Sequence, residues 1–167
     1  AITIIHINPR GGFDSRVPSV KQRAKASWAT KFCINLKAQY DNYSVESWKI
    51  YDPKDYGKIG VYELKEDNIT YKMFPGKSIG VKYISFQLLN ELSRRINAGE
   101  KIIIHLQTLH ELMAYLISIK FKKVPIVAQQ RSPTIPPLFK YKATKRPFYL
   151  LKHLIDTFCL RNYDYIF

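Results

Sequence analysis

The chain has 167 residues, 46% of them hydrophobic and 24% charged, which is too apolar for a disordered segment and long enough for one domain with a real core. Lysine and arginine number 27 against 13 aspartates and glutamates, a net charge of +14, and such an excess points to an anionic partner: nucleic acid, an anionic membrane face or a phosphorylated substrate. Cys33 and Cys159 are too few and too far apart for a disulfide framework, and no apolar run approaches the roughly 20 residues of a membrane span.

The first apolar run, ITIIHI (2–7), has no basic segment before it, so a cytoplasmic strand is expected rather than a secretory signal. Its uninterrupted β-branched character suits a strand covered on both faces. It stops at Asn8-Pro9-Arg10-Gly11-Gly12. Val20, Ala24, Trp28, Phe32 and Leu36 then recur every four residues, which predicts one helix. YSVESWKIYD (43–52) reads as extended, and VYELKEDNITYKMFP (61–75) as a hairpin turning at Glu66-Asp67-Asn68.

Ile84, Leu88, Leu92 and Ile96 give the next helix stripe, closed by Asn97-Ala98-Gly99. KIIIHL (101–106) is a strand, and residues 109–123 are a helix whose lysines gather in its last turn. PIVAQQ (125–130) is another strand. A proline-rich connection over 132–147 leads to an amphipathic segment, 148–161, and YDYIF (163–167) reads as a closing strand. Strands alternating with helices at this spacing mean βαβ units and a parallel sheet, with no internal repeat evident.

In parallel α/β folds ligands gather beyond the carboxyl ends of the strands. Four places fall there: Asn8 to Phe13, His105 to His110, Gln129 to Pro133, and whatever follows Phe167. Arg10-Gly11-Gly12 reads either as a plain turn or as a loop letting backbone amides approach an anion; it is neither a dinucleotide fingerprint nor a P-loop. His105 ends its strand as a satisfied buried histidine or as a cleft residue, and His110 in a first helical turn is better placed to face a cleft. His110-Glu111 begins like HExxH, but position 114 is Ala, so no metal site is expected. Gln129-Gln130-Arg131-Ser132 turns polar abruptly, and Arg131 could grip a phosphate or carboxylate, or simply start a solvated loop. Separately, Lys140, Lys142, Lys145, Arg146, Lys152 and His153 are mixed with Phe148, Tyr149, Leu150 and Leu151, as in an interfacial surface or an ordinary packed helix with solvated lysines.

In this order the features resemble the N-terminal half of a GT-B glycosyltransferase of the large retaining family 4. The most specific stretch is 102–132: His105 at a strand end, Ala114 in the following helix, the basic Lys122-Lys123, then Val124-Pro125-Ile126-Val127 and a polar turn. ITIIHINPRGG is similar to the family's first strand and glycine loop, NITYKMFP to its hairpin, and FCLRNYDYIF to its final helix-to-strand passage. The sequence departs from the family in having Gln107 in place of the second histidine of an H-x-H, and Arg131-Ser132 where a His-Gly or His-Thr pair is usual.

The resemblance implies a Rossmann-like three-layer α/β domain over 1–167 with a mainly parallel sheet. It implies an acceptor cleft formed by Arg10, Gly11, Gly12, His105, His110, Gln130, Arg131 and Ser132, with no cofactor and no assigned catalytic residue. The partners it implies are a nucleotide-sugar donor held by a C-terminal domain and a sugar or lipid-linked acceptor; the net charge and the basic, aromatic last helix add an anionic membrane at its cytoplasmic face as an expected partner. The family's donor-binding glutamate pair is not in these residues, so the chain alone is expected to transfer nothing. The competing reading is a non-catalytic α/β module that binds nucleic acid or is recruited to a membrane as a scaffold. Nucleic acid is the less favoured partner, because the cations form no recognition helix or RNP-like strand.

Overall fold

The structure is a computed structural model and describes residues 1–9, 19–25, 28–57, 60–80, 82–108, 111–129 and 142–166. β1 (Ile2–Asn8) is followed by α1 (Val20–Lys25) and α2 (Trp28–Gln39), then β2 (Ser44–Tyr51), a short α3 (Pro53–Tyr56), and β3 (Tyr62–Glu66) paired with β4 (Ile69–Pro75). β5 (Lys77–Ile79) and β6 (Lys82–Ile84) form a small separate hairpin before α4 (Phe86–Asn97) and β7 (Lys101–Leu106). α5 (Leu112–Lys120), β8 (Ile126–Ala128), α6 (Arg146–Leu160) and β9 (Tyr165–Ile166) complete the order.

The main sheet runs β3-β4-β2-β1-β7-β8-β9, parallel throughout except for β3 against β4. Numbered among themselves, the parallel strands stand in the doubly wound order 3-2-1-4-5-6, whose direction of winding reverses between β1 and β7. The fold is a Rossmann-like three-layer α/β architecture.

Each face of the sheet has its own core. Val45 and Tyr51 of β2 and Ile69, Tyr71 and Met73 of β4 pack with Val20, Ala24 and Cys33 from α1 and α2. The alternate residues Trp48, Ile50 and Phe74 turn to the other face, where Leu88, Leu89 and Leu92 of α4 and Met113, Ala114 and Ile117 of α5 cover them. Period-2 alternation along β2 therefore feeds two helix layers, as a central parallel strand requires.

Local chemistry sets the element ends. Asp67 and Asn68 both adopt positive φ (55° and 57°), the two-residue turn whose twist matches a right-handed hairpin. The Ser85 hydroxyl accepts from Leu88 N at the start of α4, and Gly99 (φ 80°) ends that helix in a conformation that costs other residues a steric penalty. Arg95 of α4 reaches under the sheet to Glu46 (2.8 Å) and Glu100 (2.6 Å), while Glu46 also accepts from Trp48 Nε1 (2.7 Å).

The stripe from Val20 to Leu36 falls on α1 and α2, with residues 26–27 between them outside the described residues. Three sequence expectations need correcting. Ile84 ends β6 and packs into the α4 core from a strand, so it is not the first residue of the α4 stripe. α5 ends at Lys120, which leaves Lys122 and Lys123 in the turn beyond it, and Phe121 takes the C-cap position. The strand read over 125–130 is confined to Ile126–Ala128.

Candidate functional site

β1 and β7 lie side by side at the reversal point, with Ile4, Ile5, His6 and Ile7 level with Ile103, Ile104, His105 and Leu106. The isoleucines at 5 and 104 face the α4–α5 core, so the histidines beside them face α2. Both rings are buried, His6 at 0% and His105 at 3% exposure. Their Nδ1 atoms are 2.8 Å apart, a hydrogen bond in which one ring donates and the other accepts. Phe32 of α2 closes over the pair, its ring centroid 5.3 Å from His6 and 4.6 Å from His105. Burial pulls the His105 imidazole down to about 4, so it is neutral at physiological pH.

Two residues further along each strand, on the same face, come Asn8 and Gln107, both buried. The backbone closes here through Gln107 N donating to Ile7 O (3.0 Å) and Gln129 N donating to Leu106 O (2.8 Å). Asn8, Gln107, Thr108 and Gln129 thus line one carboxyl-end rim across β1, β7 and β8. Gln107 Oε1, Thr108 Oγ1 and Gln129 Oε1 are buried atoms without a hydrogen-bond partner among the described residues. A buried polar atom left unpaired costs about 1–3 kcal/mol, so three within one rim call for a ligand or ordered water to satisfy them.

The β5–β6 hairpin leans on the same rim. Lys82 donates to the carboxylate of Glu111 (2.8 Å), which is buried and occupies the N-cap position of α5. This ion pair sets a half-exposed ammonium beside the strand ends.

No protein-family model matches the chain, and no curated protein matches it. The chemistry open to the rim is set by its own groups. Among the described residues it offers a buried histidine pair, amides and a hydroxyl, with the Lys82 ammonium nearby, a set suited to hydrogen-bonding a polyhydroxylated or phosphorylated ligand. Among the described residues no three His, Cys, Asp or Glu side chains converge as metal ligands.

Of the candidates drawn from sequence, His105 lies at the rim's base. Arg10, Gly11, Gly12, His110, Gln130, Arg131 and Ser132 lie outside the described residues. Their described chain neighbours, Pro9, Thr108 and Gln129, stand at the ends of β1, β7 and β8 on the one rim.

Sequence reasoning missed His6 and Lys82 as rim residues, and within the suspected stretch from His105 to His110 it singled out the histidines rather than Gln107 and Thr108. A signal for His6 existed: Ile4-Ile5-His6-Ile7-Asn8 and Ile103-Ile104-His105-Leu106-Gln107 share one pattern, and the sheet sets them in register. Lys82 carried no such signal, because only the fold of a short exposed hairpin brings it to Glu111.

A separate open hollow of about 850 Å3 lies at the opposite, amino-terminal rim, lined among others by Thr3, Lys37, Glu46 and Arg95. Its buried cation, Arg95, is already bonded to Glu46 and Glu100, so this hollow lacks the unsatisfied groups of the carboxyl-end rim.

Proposed function

We propose that the chain is the acceptor-side domain of a GT-B glycosyltransferase, which receives a sugar or lipid-linked acceptor at the β1–β7 rim while a separate domain brings the nucleotide-sugar donor. The observation that carries this reading is the cluster of buried Gln107 and Thr108 groups, unpartnered among the described residues, beside the His6–His105 pair at the winding reversal of a 3-2-1-4-5-6 sheet. An acceptor hydroxyl bonded to such groups would be oriented for attack on the donor's anomeric carbon as the bond to the diphosphate breaks. Holding the hydroxyl in place contributes through proximity and orientation. The diphosphate's growing charge would be met by cations and helix N-termini, so this chemistry does not require a metal. Because His105 is neutral, it adds no fixed charge and acts on the acceptor side as a hydrogen-bonding and packing group. A lipid-linked acceptor would place the enzyme at the inner face of an anionic membrane.

The test is sugar transfer from a panel of radiolabelled nucleotide sugars to lipid-linked and free sugar acceptors. The complete protein is expected to transfer, residues 1–167 alone to show no turnover, and Gln107→Ala in the complete protein to lower kcat/KM about tenfold, the loss of one oriented hydrogen bond. Absence of transfer by the complete protein, together with steeply salt-dependent binding to arbitrary DNA or RNA, would replace this reading with the nucleic-acid module.

A further inference from the structure

α6 presents its apolar side outward. Asp156 and Cys159 are its buried residues, and Tyr149 on the same side is half-buried. Asp156 accepts a short hydrogen bond from the Tyr115 hydroxyl of α5, and the Ser118 hydroxyl of α5 donates to Tyr115 O. The Tyr115–Asp156 bond fixes which side of the helix faces the protein.

Leu151, Leu154 and Phe158 succeed one another at i, i+3 and i+7 along the opposite side, with exposures of 57%, 60% and 59%. Phe148, Leu150 and Ile155 widen the stripe on either flank. Single exposed apolar side chains are ordinary, but six on one side of a 15-residue helix make a continuous patch that calls for a cover.

Charge narrows the choice of cover. Lys142, Lys145 and Arg146 stand exposed at the start of the helix and Arg161 just past its end. Between residues 142 and 161 the only carboxylate is Asp156, which is buried and turned inward. An apolar stripe bracketed by cations and free of outward acids complements acyl chains under anionic headgroups. A second copy of the chain would bring the same cations together at a net charge of +14 each, which opposes self-association. No described helix is long and apolar enough to cross a membrane, so α6 would lie in the plane of the interface.

We infer that α6 is an in-plane anchor that seats this protein on an anionic lipid surface. The docking does not depend on sugar transfer. Cosedimentation of the intact chain with phosphatidylcholine vesicles, with and without phosphatidylglycerol, tests it. The wild type binds the anionic vesicles at least about tenfold more tightly than the neutral ones. The L151E/L154E variant loses that binding by at least about tenfold while keeping the wild-type circular dichroism and melting curve, since both side chains are exposed. The K142S/K145S variant keeps its fold and shifts anionic binding toward the neutral level. Equal pelleting of wild type and L151E/L154E, or no pelleting of the wild type, would overturn the inference. So would a concentration-dependent dimer that L151E/L154E dissolves in the absence of vesicle binding.

Discussion

His105 is held neutral because its imidazolium would sit under Phe32 with no water around it, and this makes the fold sensitive to acid. The ordinary imidazole titrates near 6.5 and the folded one at about 4. Between those values the unfolded chain takes up a proton that the folded chain refuses, so unfolding gains on folding as pH falls. The contribution is fully present above about pH 6.5 and is lost progressively toward pH 4, about 3 kcal/mol for the whole shift. Urea titrations between pH 7 and pH 4 are expected to show wild-type stability falling more steeply than that of a His105→Gln variant, by up to about 1.4 kcal/mol per pH unit. Parallel curves for the two proteins would show that His105 is not the group responsible. His105 was legible in the sequence as the end of a buried strand. Its partner was not, because a hydrogen bond between residues 99 positions apart depends on strand order and register, which the run IIIHL does not encode by itself.

Among the elements, the β3–β4 hairpin was legible because its turn chemistry is local: Asp67 and Asn68 are residue types that tolerate positive φ, and both adopt it. The β5–β6 hairpin was not. Its strands are three residues each, too short for alternation to register, and β5 is exposed along its length. Ile84 fell in phase with the α4 stripe by coincidence and was absorbed into the wrong element. Val20, Ala24 and Phe32 of α1 and α2 pack into one core, as their single apolar phase in the sequence suggests. The turn offers a clean perturbation. Asn68 is exposed and pays a conformational cost at φ 57° that glycine avoids, so Asn68→Gly is expected to stabilise the protein by about 0.5–1 kcal/mol. A thermal melt should show the midpoint rising; an unchanged or lower midpoint would mean that the Asn68 side chain makes a stabilising contact worth as much as the backbone relief.

Across the whole molecule, cohesion is uneven. The sheet core is bound on both faces by interlocking apolar side chains, whereas α6 meets α5 through the Tyr115–Asp156 hydrogen bond, its large apolar residues pointing away. A helix held in this way should open well below the free energy of global unfolding, which belongs to the central strands. Asp156→Ala removes the carboxylate that holds Tyr115 and leaves a half-buried hydroxyl without its acceptor, a loss of about 1–3 kcal/mol confined to this contact. Hydrogen exchange read out by mass spectrometry should then show faster exchange over 146–160 while amides in β1, β2, β4 and β7 keep their wild-type protection. Anionic vesicles should restore the lost protection if lipid covers the outward stripe, because a ligand that binds only the ordered helix stabilises it by mass action. Uniformly faster exchange across the sheet would instead mean that α6 unfolds together with the core, and that its contact with α5 couples the two into one cooperative unit.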